Sequence, residues 1–244
     1  MQLLVFDIKG PMAHFRKFYT NSSSLTYDFP PRTAVMGIVA SILGMQRDSY
    51  YDKLSSDHCH IAVQILTKTR RLTQTVNYIF VKNKPAEVTG SQGKPTQIPV
   101  EFLLPEPEAH TLSFRVFFNH DDQEIMQKLK TRINENRYHF PVYLGITECI
   151  GHTEYVDIVE GTPFKSQRVQ SVATVSPSER IESIHFSEEA SSKYLKDRIV
   201  IDFSEDRRAL STKDVIYEAH GGAILMTTSS ELINTPMGNL MFME

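Results

Sequence analysis

Residues 1–44 read MQLLVFDIKGPMAHFRKFYTNSSSLTYDFPPRTAVMGIVASILG and hold the first elements of the fold. The apolar run at 1–8 predicts a buried strand. A long polar and aromatic loop follows it, and loops of this length in compact domains often carry function. Apolar residues then recur at helical spacing over residues 33–43, after two prolines and before Gly44. This pattern predicts an amphipathic helix that ends at a glycine.

Further elements follow along the chain. A strand predicted at 60–69 and an alternating run at 72–81 resemble an antiparallel pair of strands. Residues 82–98 are poor in large apolar side chains and rich in Lys, Gly and Pro, which predicts a protruding hairpin or loop. Strands are then predicted at 100–104 and 110–118, followed by a helix at 121–133 whose first residues are acidic.

The order strand, helix, strand, strand, helix, extended segment is typical of a ferredoxin-like β-α-β-β-α-β domain, the architecture of RNA-recognition (RRM-like) modules. We therefore predict an α+β fold with a ferredoxin-like N-terminal domain at 1–148. Short alternating runs separated by polar turns fill the rest of the chain. They predict a smaller β-rich C-terminal domain at 149–244, in which no site residue is predicted.

Composition favours a globular protein of the cytoplasm. The 244 residues are 41% hydrophobic and 23% charged, which is ordinary globular usage. Cys59 and Cys149 are far apart and are expected to be reduced core residues. No apolar run approaches the ~20 residues that span a bilayer, and the first residues lack a basic leader. We therefore expect a cytoplasmic location and no membrane partner.

Charge is distributed unevenly along the chain. The formal net charge is −3, but residues 1–100 hold 12 Lys and Arg against 6 Asp and Glu, and residues 101–244 hold 14 against 23. Because phosphate binding depends on local Lys and Arg, a polyanion is expected to bind the first half. A chance imbalance is the alternative.

Three stretches carry a resemblance to a known family. The segment GPMAHFRKFYTNSSSLTYDFPPRTAVMGIVASILG at 10–44 resembles the opening of the CRISPR-associated protein 5 (Cas-five) family of the RAMP superfamily. TQIPVEFLLPEPE at 96–108 resembles the segment after that family's thumb-like hairpin, and YHFPVYLGITEC at 138–149 resembles its Pro-x-Tyr-Leu-Gly strand. The resemblance covers about residues 1–150, and 82–98 would be the thumb-like insertion.

The resemblance implies a non-catalytic subunit of a type I CRISPR surveillance complex (Cascade), closest to subtype I-B. Such a subunit binds and caps the 5′ handle of the guide RNA (crRNA). Its expected partners are that handle, a backbone subunit and a large subunit. Target DNA would be met only through the assembled complex, where base pairing reads the sequence.

Candidate RNA-binding residues combine this resemblance with charge and position. Arg16 and Lys17 stand among aromatic residues, a mixture that suits phosphate pairing and base stacking. Backbone N–H groups at the start of the first helix attract phosphate, and Gly-rich hairpins approach a nucleic-acid backbone closely. The predicted RNA-binding residues are Arg16, Lys17, Tyr27, Arg32, Thr33, Lys68, Arg70, Arg71, Asn77, Lys82, Lys84, Lys94 and Gln97.

Each of these residues also has a purely structural interpretation. The loop aromatics could pin the loop to the sheet, the helix start could be a plain N-cap, and the turn cations could be solvated. The 82–98 segment could be an ordinary surface loop. Gly37 lies inside the predicted helix, where glycine costs about 1 kcal/mol relative to alanine, so we expect close packing or a ligand backbone to need the space.

Catalysis is not expected. Relatives in type I-C systems cut precursor guide RNA with a Tyr and an adjacent Lys-His pair, but no histidine here follows a lysine. Tyr27 with His14 is a conceivable substitute, so a metal-independent endoribonuclease stays an alternative.

Other chemistries find no support either. His58 and Cys59 would point to opposite faces of a strand, and no nucleotide-binding or serine-hydrolase motif is present. We predict no catalytic residue, no metal and no cofactor. A protein-interaction module without an RNA role is the other alternative.

Overall fold

A computed structural model describes residues 1–20, 24–80, 94–186 and 192–244, with residues 80 and 94 described by their backbone alone. The predicted α+β class is confirmed, since the described residues form two α-helices among many strands. The helices are α1 (Arg32–Leu43) and α2 (Gln123–Asn134). The strands are β1 (Gln2–Gly10), β2 (Phe15–Arg16), β3 (Thr26–Tyr27), β4 (Cys59–Ile65), β5 (Thr69–Phe80), β6 (Lys94–Pro105), β7 (Leu112–His120), β8 (Val142–Tyr143), β9 (Ile150–Glu160), β10 (Thr162–Val172), β11 (Ser176–Pro177), β12 (Ser183–Ile184), β13 (Tyr194–Phe203), β14 (Ala209–Glu218), β15 (Ile224–Thr235) and β16 (Gly238–Leu240).

A five-stranded sheet in the order β4-β7-β1-β9-β8 is built around the first strand. β1 pairs antiparallel with β7 and β9, and β7 pairs antiparallel with β4. Leu4 and Phe6 belong to one apolar cluster, and their neighbours Leu3 and Val5 belong to another. Because β1 is buried on both faces, its residues 3–6 (LLVF) are continuously apolar rather than alternating.

The two helices lie where the periodicity predicts them. α1 ends at Gly44, whose φ of 76° is in the left-handed region that glycine enters at little cost. α2 is capped by Asp122, whose side chain accepts a hydrogen bond from the backbone N–H of Glu124. The side chains of α1 and α2 join the cluster that contains Leu4, so both helices pack on the same face of the sheet.

The predicted pairing of residues 60–69 with 72–81 is wrong. β4 pairs with β7 instead, and β5 pairs with β6 over twelve residues in a separate two-stranded sheet. The reason is burial: β4 has an apolar face to hide, whereas β5 is exposed along almost all of its length. The hairpin arms therefore begin at residue 69 rather than 82. Residues 82–93 of the predicted 82–98 insertion lie outside the described residues, and residues 94–98 belong to β6.

The second half of the chain packs closely on the first. Ile199 and Ile201 of β13, with Val215 and Tyr217 of β14, lie in the same apolar cluster as the helices. Ile233 and Leu240 cover the opposite face of the central sheet, beside Leu3 and Val5. The predicted boundary at residue 148 also falls just before β9, which is paired with β1. The division into two domains is not confirmed by this packing and stays a prediction.

Both cysteines are free thiols buried in the apolar interior. Burial raises the pKa of Cys59 strongly, and burial with the nearby Glu148 raises the pKa of Cys149 to about 11. Thiols in such surroundings are chemically inert. Within the described residues, neither helix is long and apolar enough to cross a membrane.

Candidate nucleic-acid interface

The short strands β2 and β3 form a small hairpin that is anchored on β13. Phe15 pairs with Tyr27, and the Tyr27 hydroxyl donates a hydrogen bond of 2.5 Å to the backbone carbonyl of Arg198. Lys17 Nζ lies 2.5 Å from Asp197 Oδ2, and the Tyr19 hydroxyl donates to Asp197 Oδ1 at 2.7 Å. Successive residues of an extended segment face opposite ways, so Arg16 and Lys17 line different clefts.

We call the cleft that Lys17 lines the basic cleft. It has a volume of about 510 Å³ and lies between the base of the β5–β6 hairpin and strands β13 and β14. Two carboxylates, Asp28 and Asp197, face five cationic side chains in its wall, and Tyr217 and His220 also contribute. The five cations are Lys17, Arg70, Arg71, Lys193 and Lys196.

The two carboxylates of the basic cleft are already engaged. Arg71 donates from Nε and Nη2 to the two carboxylate oxygens of Asp28, each at 2.7 Å. The Tyr217 hydroxyl donates to the same carboxylate at 2.8 Å. The hydrogen bond with Asp28 raises the pKa of Arg71 further, so this guanidinium stays charged. Asp197 is engaged in the same way by Lys17 and Tyr19.

Arg70 and Lys193 are the exposed cations of the basic cleft that lack an ion-pair partner among the described residues. Lys196 and its neighbour Arg198 share Asp214, with Nζ at 2.9 Å and Nε at 2.7 Å from its oxygens. Hydrogen bonds from Arg198 and Lys196 lower the pKa of Asp214 to about 2. Arg70 and Lys193 are therefore the groups best placed to pair with an added phosphate.

The second cleft, which we call the aromatic cleft, has a volume of about 480 Å³. It lies on the other side of β2, between α1 and β13. Arg16, Arg207 and Thr33 contribute polar groups to its lining, and no carboxylate among the described residues lines it. Its aromatic lining consists of Phe15, Phe18, Tyr27, Tyr50, Tyr51 and Phe203. Three predicted residues, Arg16, Tyr27 and Thr33, thus line the same cleft.

The prediction that Arg32 binds RNA is corrected by its burial. Arg32 is 0% exposed, and its guanidinium donates to Asp202 Oδ1 at 3.0 Å and to Glu244 Oε2 at 3.2 Å. It also donates to the backbone carbonyls of Leu54, Cys59 and Ile201. With its donors used in this way, Arg32 joins α1 to β4 and β13. Thr33, the next residue, is half-buried at the cleft.

Tyr27 and His14 are both buried and hydrogen-bonded. Tyr27 is 2% exposed, and burial raises its pKa. His14 Nδ1 lies 2.6 Å from the carbonyl of Glu101, and Nε2 lies 2.9 Å from Ser24 Oγ. The Tyr27 hydroxyl and both ring nitrogens of His14 therefore have hydrogen-bond partners within the protein.

The remaining predicted residues lie on or near the β5–β6 hairpin. Asn77 and Gln97 are exposed and directly opposite each other in the hairpin register. Lys68 is exposed just before β5 and lines neither cleft. Lys94 pairs through its backbone with Phe80, and its side chain lies outside the described residues, as do Lys82 and Lys84.

Sequence reasoning missed Lys193 and Lys196, because no site residue was predicted after residue 148. A usable signal existed: SKYLKDR at 192–198 is a local basic cluster within the acidic half of the chain. The expectation that close packing requires a glycine at position 37 is not supported. An added Cβ would meet the Tyr50 hydroxyl at an ordinary contact distance of 3.5 Å. No group of three or more His, Cys, Asp or Glu side chains that could hold a metal occurs among the described residues.

Known proteins share this arrangement of elements. The sequence profile of the family described as "CRISPR-associated protein (Cas_Cas5)" matches residues 3–216. A CRISPR protein from Archaeoglobus fulgidus is similar in structure, with a TM-score of 0.58 and 12% identity over 98% of each chain. A chain of the Type III-B Cmr-beta bound to cognate target RNA and AMPPnP has a TM-score of 0.50 and 13% identity, over 91% of this chain and 86% of that one.

At such low identity, the two solved structures show a common fold and no more. No curated protein sequence matches this chain significantly. The family profile, in contrast, covers most of the sequence, including both clefts apart from Tyr217, Ala219 and His220. The chain belongs to the CRISPR-associated Cas5 family.

Proposed function

We propose that the chain is a non-catalytic, RNA-binding subunit of a CRISPR effector complex, and that it holds and caps the 5′ handle of the guide RNA. The observation that carries this proposal is the basic cleft, where Arg70 and Lys193 face solvent beside carboxylates that are already engaged. Family membership supports a place in a CRISPR complex. The neighbour that was determined with target RNA supports the same class of ligand.

The two clefts bind different parts of a single RNA strand. Arg70 and Lys193 pair with phosphates, which carry most of the affinity for nucleic acid. Arg71 is held by Asp28 and forms a rigid cationic wall beside them. Arg16 and the aromatic cleft lie on the other side of β2, close enough in the fold to serve the same strand. Phosphate pairing and base stacking supply most of the affinity of such a site for a single strand.

The central sheet and its two helices make up the ferredoxin-like unit of this proposal, and the β5–β6 hairpin is its thumb. Asn77 and Gln97 form a polar pair across the hairpin, and Leu72, Tyr78 and Ile79 on β5 expose apolar surface. We propose that the hairpin meets a backbone subunit, and that the acidic second half docks a large subunit. Target DNA is met only through the assembled complex. The type I-B subtype and the cytoplasmic location stay predictions.

A metal-independent endoribonuclease is the second candidate function. It would need a base or acid beside the scissile phosphate. The pair considered for that role, His14 and Tyr27, is buried and hydrogen-bonded within the protein. This observation favours binding without cleavage.

The test is incubation of the full chain with labelled precursor guide RNA in EDTA, measuring retention and cleavage together. We expect retention that depends on the handle sequence, without cleavage. The double variant Arg70→Glu, Lys193→Glu should lose retention. Arg71 is left unchanged because a glutamate there would face the buried Asp28.

The matched control is the double variant Lys128→Glu, Arg137→Glu on and after α2, which changes the same charge at exposed sites outside both clefts. Site-specific cleavage by the wild-type chain would contradict the proposal and show that the chain is a metal-independent endoribonuclease. Equal RNA retention by both double variants would show that the basic cleft is not the RNA-binding site. Assembly with protein partners that is indifferent to handle RNA would favour a protein-interaction module.

A further inference from the structure

The aromatic cleft has a composition that the basic cleft does not share. Two guanidinium groups, those of Arg16 and Arg207, line it together with six aromatic rings, and no carboxylate of the described part of the chain does. Arg207 is paired with Asp48, while Arg16 is exposed and, among the described residues, donates to the carbonyl of Thr20 at 3.2 Å. The cleft therefore offers ring faces and one weakly engaged cation within the same space.

Three of the six rings of the cleft, those of Phe15, Tyr27 and Tyr51, are buried in the apolar core, and the other three expose part of their surface. Phe18 is 44% exposed at the edge of the cleft and is braced by Tyr19, with ring centroids 5.3 Å apart and planes at 82°. On the other wall Tyr51 contacts Tyr50 at 4.6 Å and Phe203 at 5.9 Å between centroids. Tyr50 and Phe203 are only half-buried. A flat ligand could contact exposed ring surface on both sides.

Two residues with unusual backbone conformations support one side of the cleft. Asp48 and Arg207 both have positive φ angles, 63° and 59°, which side chains other than glycine rarely adopt. The two residues meet in an ion pair of 2.7 Å, and the Tyr51 hydroxyl donates to the same Asp48 oxygen at 3.0 Å. Residues in such conformations are concentrated at ligand sites, where the surrounding structure holds them in place. The contact fixes Tyr51 before any ligand arrives.

These features favour one class of ligand. Aromatic walls bind any planar π-system, and a guanidinium without a competing carboxylate favours an anionic one. The cleft volume falls within the range of small-molecule sites. A nucleotide combines a planar base with a phosphate. The basic cleft, on the other side of β2, has cations that could bind the phosphates of adjacent nucleotides in the same strand.

We propose that the aromatic cleft takes a single unstacked nucleobase between Phe18 and the Tyr50–Tyr51–Phe203 wall, with Arg16 on that nucleotide's phosphate. This inference deepens the proposed function and rests on it for the source of the nucleotide, which is the bound RNA strand. The base is held by stacking, so purines bind more tightly than pyrimidines. Arg207 supports the wall and does not contact the ligand.

The test uses mononucleotides, so that it does not depend on RNA retention. The full chain is labelled with 3-fluorotyrosine, and its 19F spectrum is followed during titration with AMP, adenosine and ribose 5-phosphate. Tyr50→Phe and Tyr51→Phe assign the two signals. We expect AMP to shift both signals saturably, adenosine to shift them more weakly, and ribose 5-phosphate to leave them unchanged.

Two variants sharpen the test. Phe18→Ala removes an exposed ring and should weaken AMP binding about fivefold or more, which is the low end of the cost of losing one base stack. Phe186→Ala is the matched control, because Phe186 is 74% exposed and lies outside the cleft. Equal shifts with ribose 5-phosphate, shifts confined to other tyrosines, or equal affinity in both variants would each overturn the base pocket.

The two proposals can fail separately. The Arg70→Glu, Lys193→Glu variant should keep the AMP shifts, because neither residue lines the aromatic cleft. AMP binding without RNA retention would overturn handle capping and leave the base pocket standing. RNA retention without AMP shifts at Tyr50 and Tyr51 would overturn the base pocket alone.

Discussion

Asp28 and Arg71 form a two-point ion pair, in which Nε and Nη2 of the arginine each lie 2.7 Å from a carboxylate oxygen. The pair joins the base of the β5–β6 hairpin to the segment after β3. Tyr217 of β14 donates a third hydrogen bond to the same carboxylate at 2.8 Å. One buried carboxylate thus ties three separate parts of the chain together beside the basic cleft.

This arrangement predicts that Tyr217→Phe destabilises the protein without changing its shape. The variant removes one hydrogen bond to a buried carboxylate, and bonds to charged groups contribute roughly 1.5–3 kcal/mol. Urea unfolding should therefore show a loss of about 2 kcal/mol. A loss below about 0.5 kcal/mol, the usual size for an ordinary surface substitution, would mean that Asp28 does not depend on this bond.

Arg32 is predicted to be a stability residue rather than an RNA contact. Arg32→Met would fill the space but leave Asp202 and Glu244 without their buried cation. Removing one partner of a buried ionic cluster costs about 3–5 kcal/mol. We expect a loss of this size in urea unfolding, whereas Arg16→Met at its exposed site should change stability by less than about 0.5 kcal/mol. An Arg32→Met protein of unchanged stability that no longer retains RNA would contradict this assignment.

Replacing either of two glycines with alanine is predicted to change the stability of the protein in opposite directions. At Gly37 the added methyl meets only the Tyr50 hydroxyl at 3.5 Å, so Gly37→Ala should stabilise α1 by about 0.5–1 kcal/mol. At Gly145, φ is +97° and the new Cβ would lie 1.9 Å from the carbonyl oxygen of His14. Gly145→Ala should therefore destabilise strongly. Thermal unfolding of both variants measures this, and a destabilised Gly37→Ala protein would show that the helix needs its glycine.

The pH dependence of stability is predicted to include a contribution from His60. Its Nδ1 lies 2.9 Å from Glu244 Oε1, and this hydrogen bond raises the pKa of His60. A raised folded-state pKa adds stability below the unfolded pKa of about 6.5, and that stability is lost as pH rises through the folded value. The difference in unfolding free energy between wild type and His60→Gln should therefore grow as pH falls from about 8 to about 6.

The control is His185→Gln, because His185 contacts hydroxyl groups rather than a carboxylate. It replaces a histidine that has no carboxylate partner among the described residues and is measured over the same pH range. A constant difference between wild type and His60→Gln would show that Glu244 does not hold the protonated imidazole.

Local sequence patterns predicted the local elements well. The apolar run of β1, the spacing in α1 and the acidic start of α2 each depend on neighbouring residues, and these elements lie within one or two residues of their predicted limits. The partner of β5 could not be predicted in this way, because the choice of partner depends on long-range burial.

The site was predicted as a region more successfully than residue by residue. Arg16 and Arg70 are exposed cations at the two clefts, as charge and position suggested. Arg32 has the same charge but is enclosed by Asp202 and Glu244, which are about 170 and 212 residues away in the chain. Lys193 joins the basic cleft from the other half of the protein. Contacts over such separations leave no signal in a local pattern.

The most direct test of the central claim, that the basic cleft binds RNA, is the salt dependence of single-stranded handle RNA affinity for the full chain. Each phosphate contact contributes about 0.7 to the slope of log K against log salt for a single strand. Arg70→Ala and Lys193→Ala should each reduce the slope by about 0.7, and the exposed control Lys128→Ala should leave it unchanged. Slopes that are equal in wild type and all three variants would contradict RNA binding at the basic cleft.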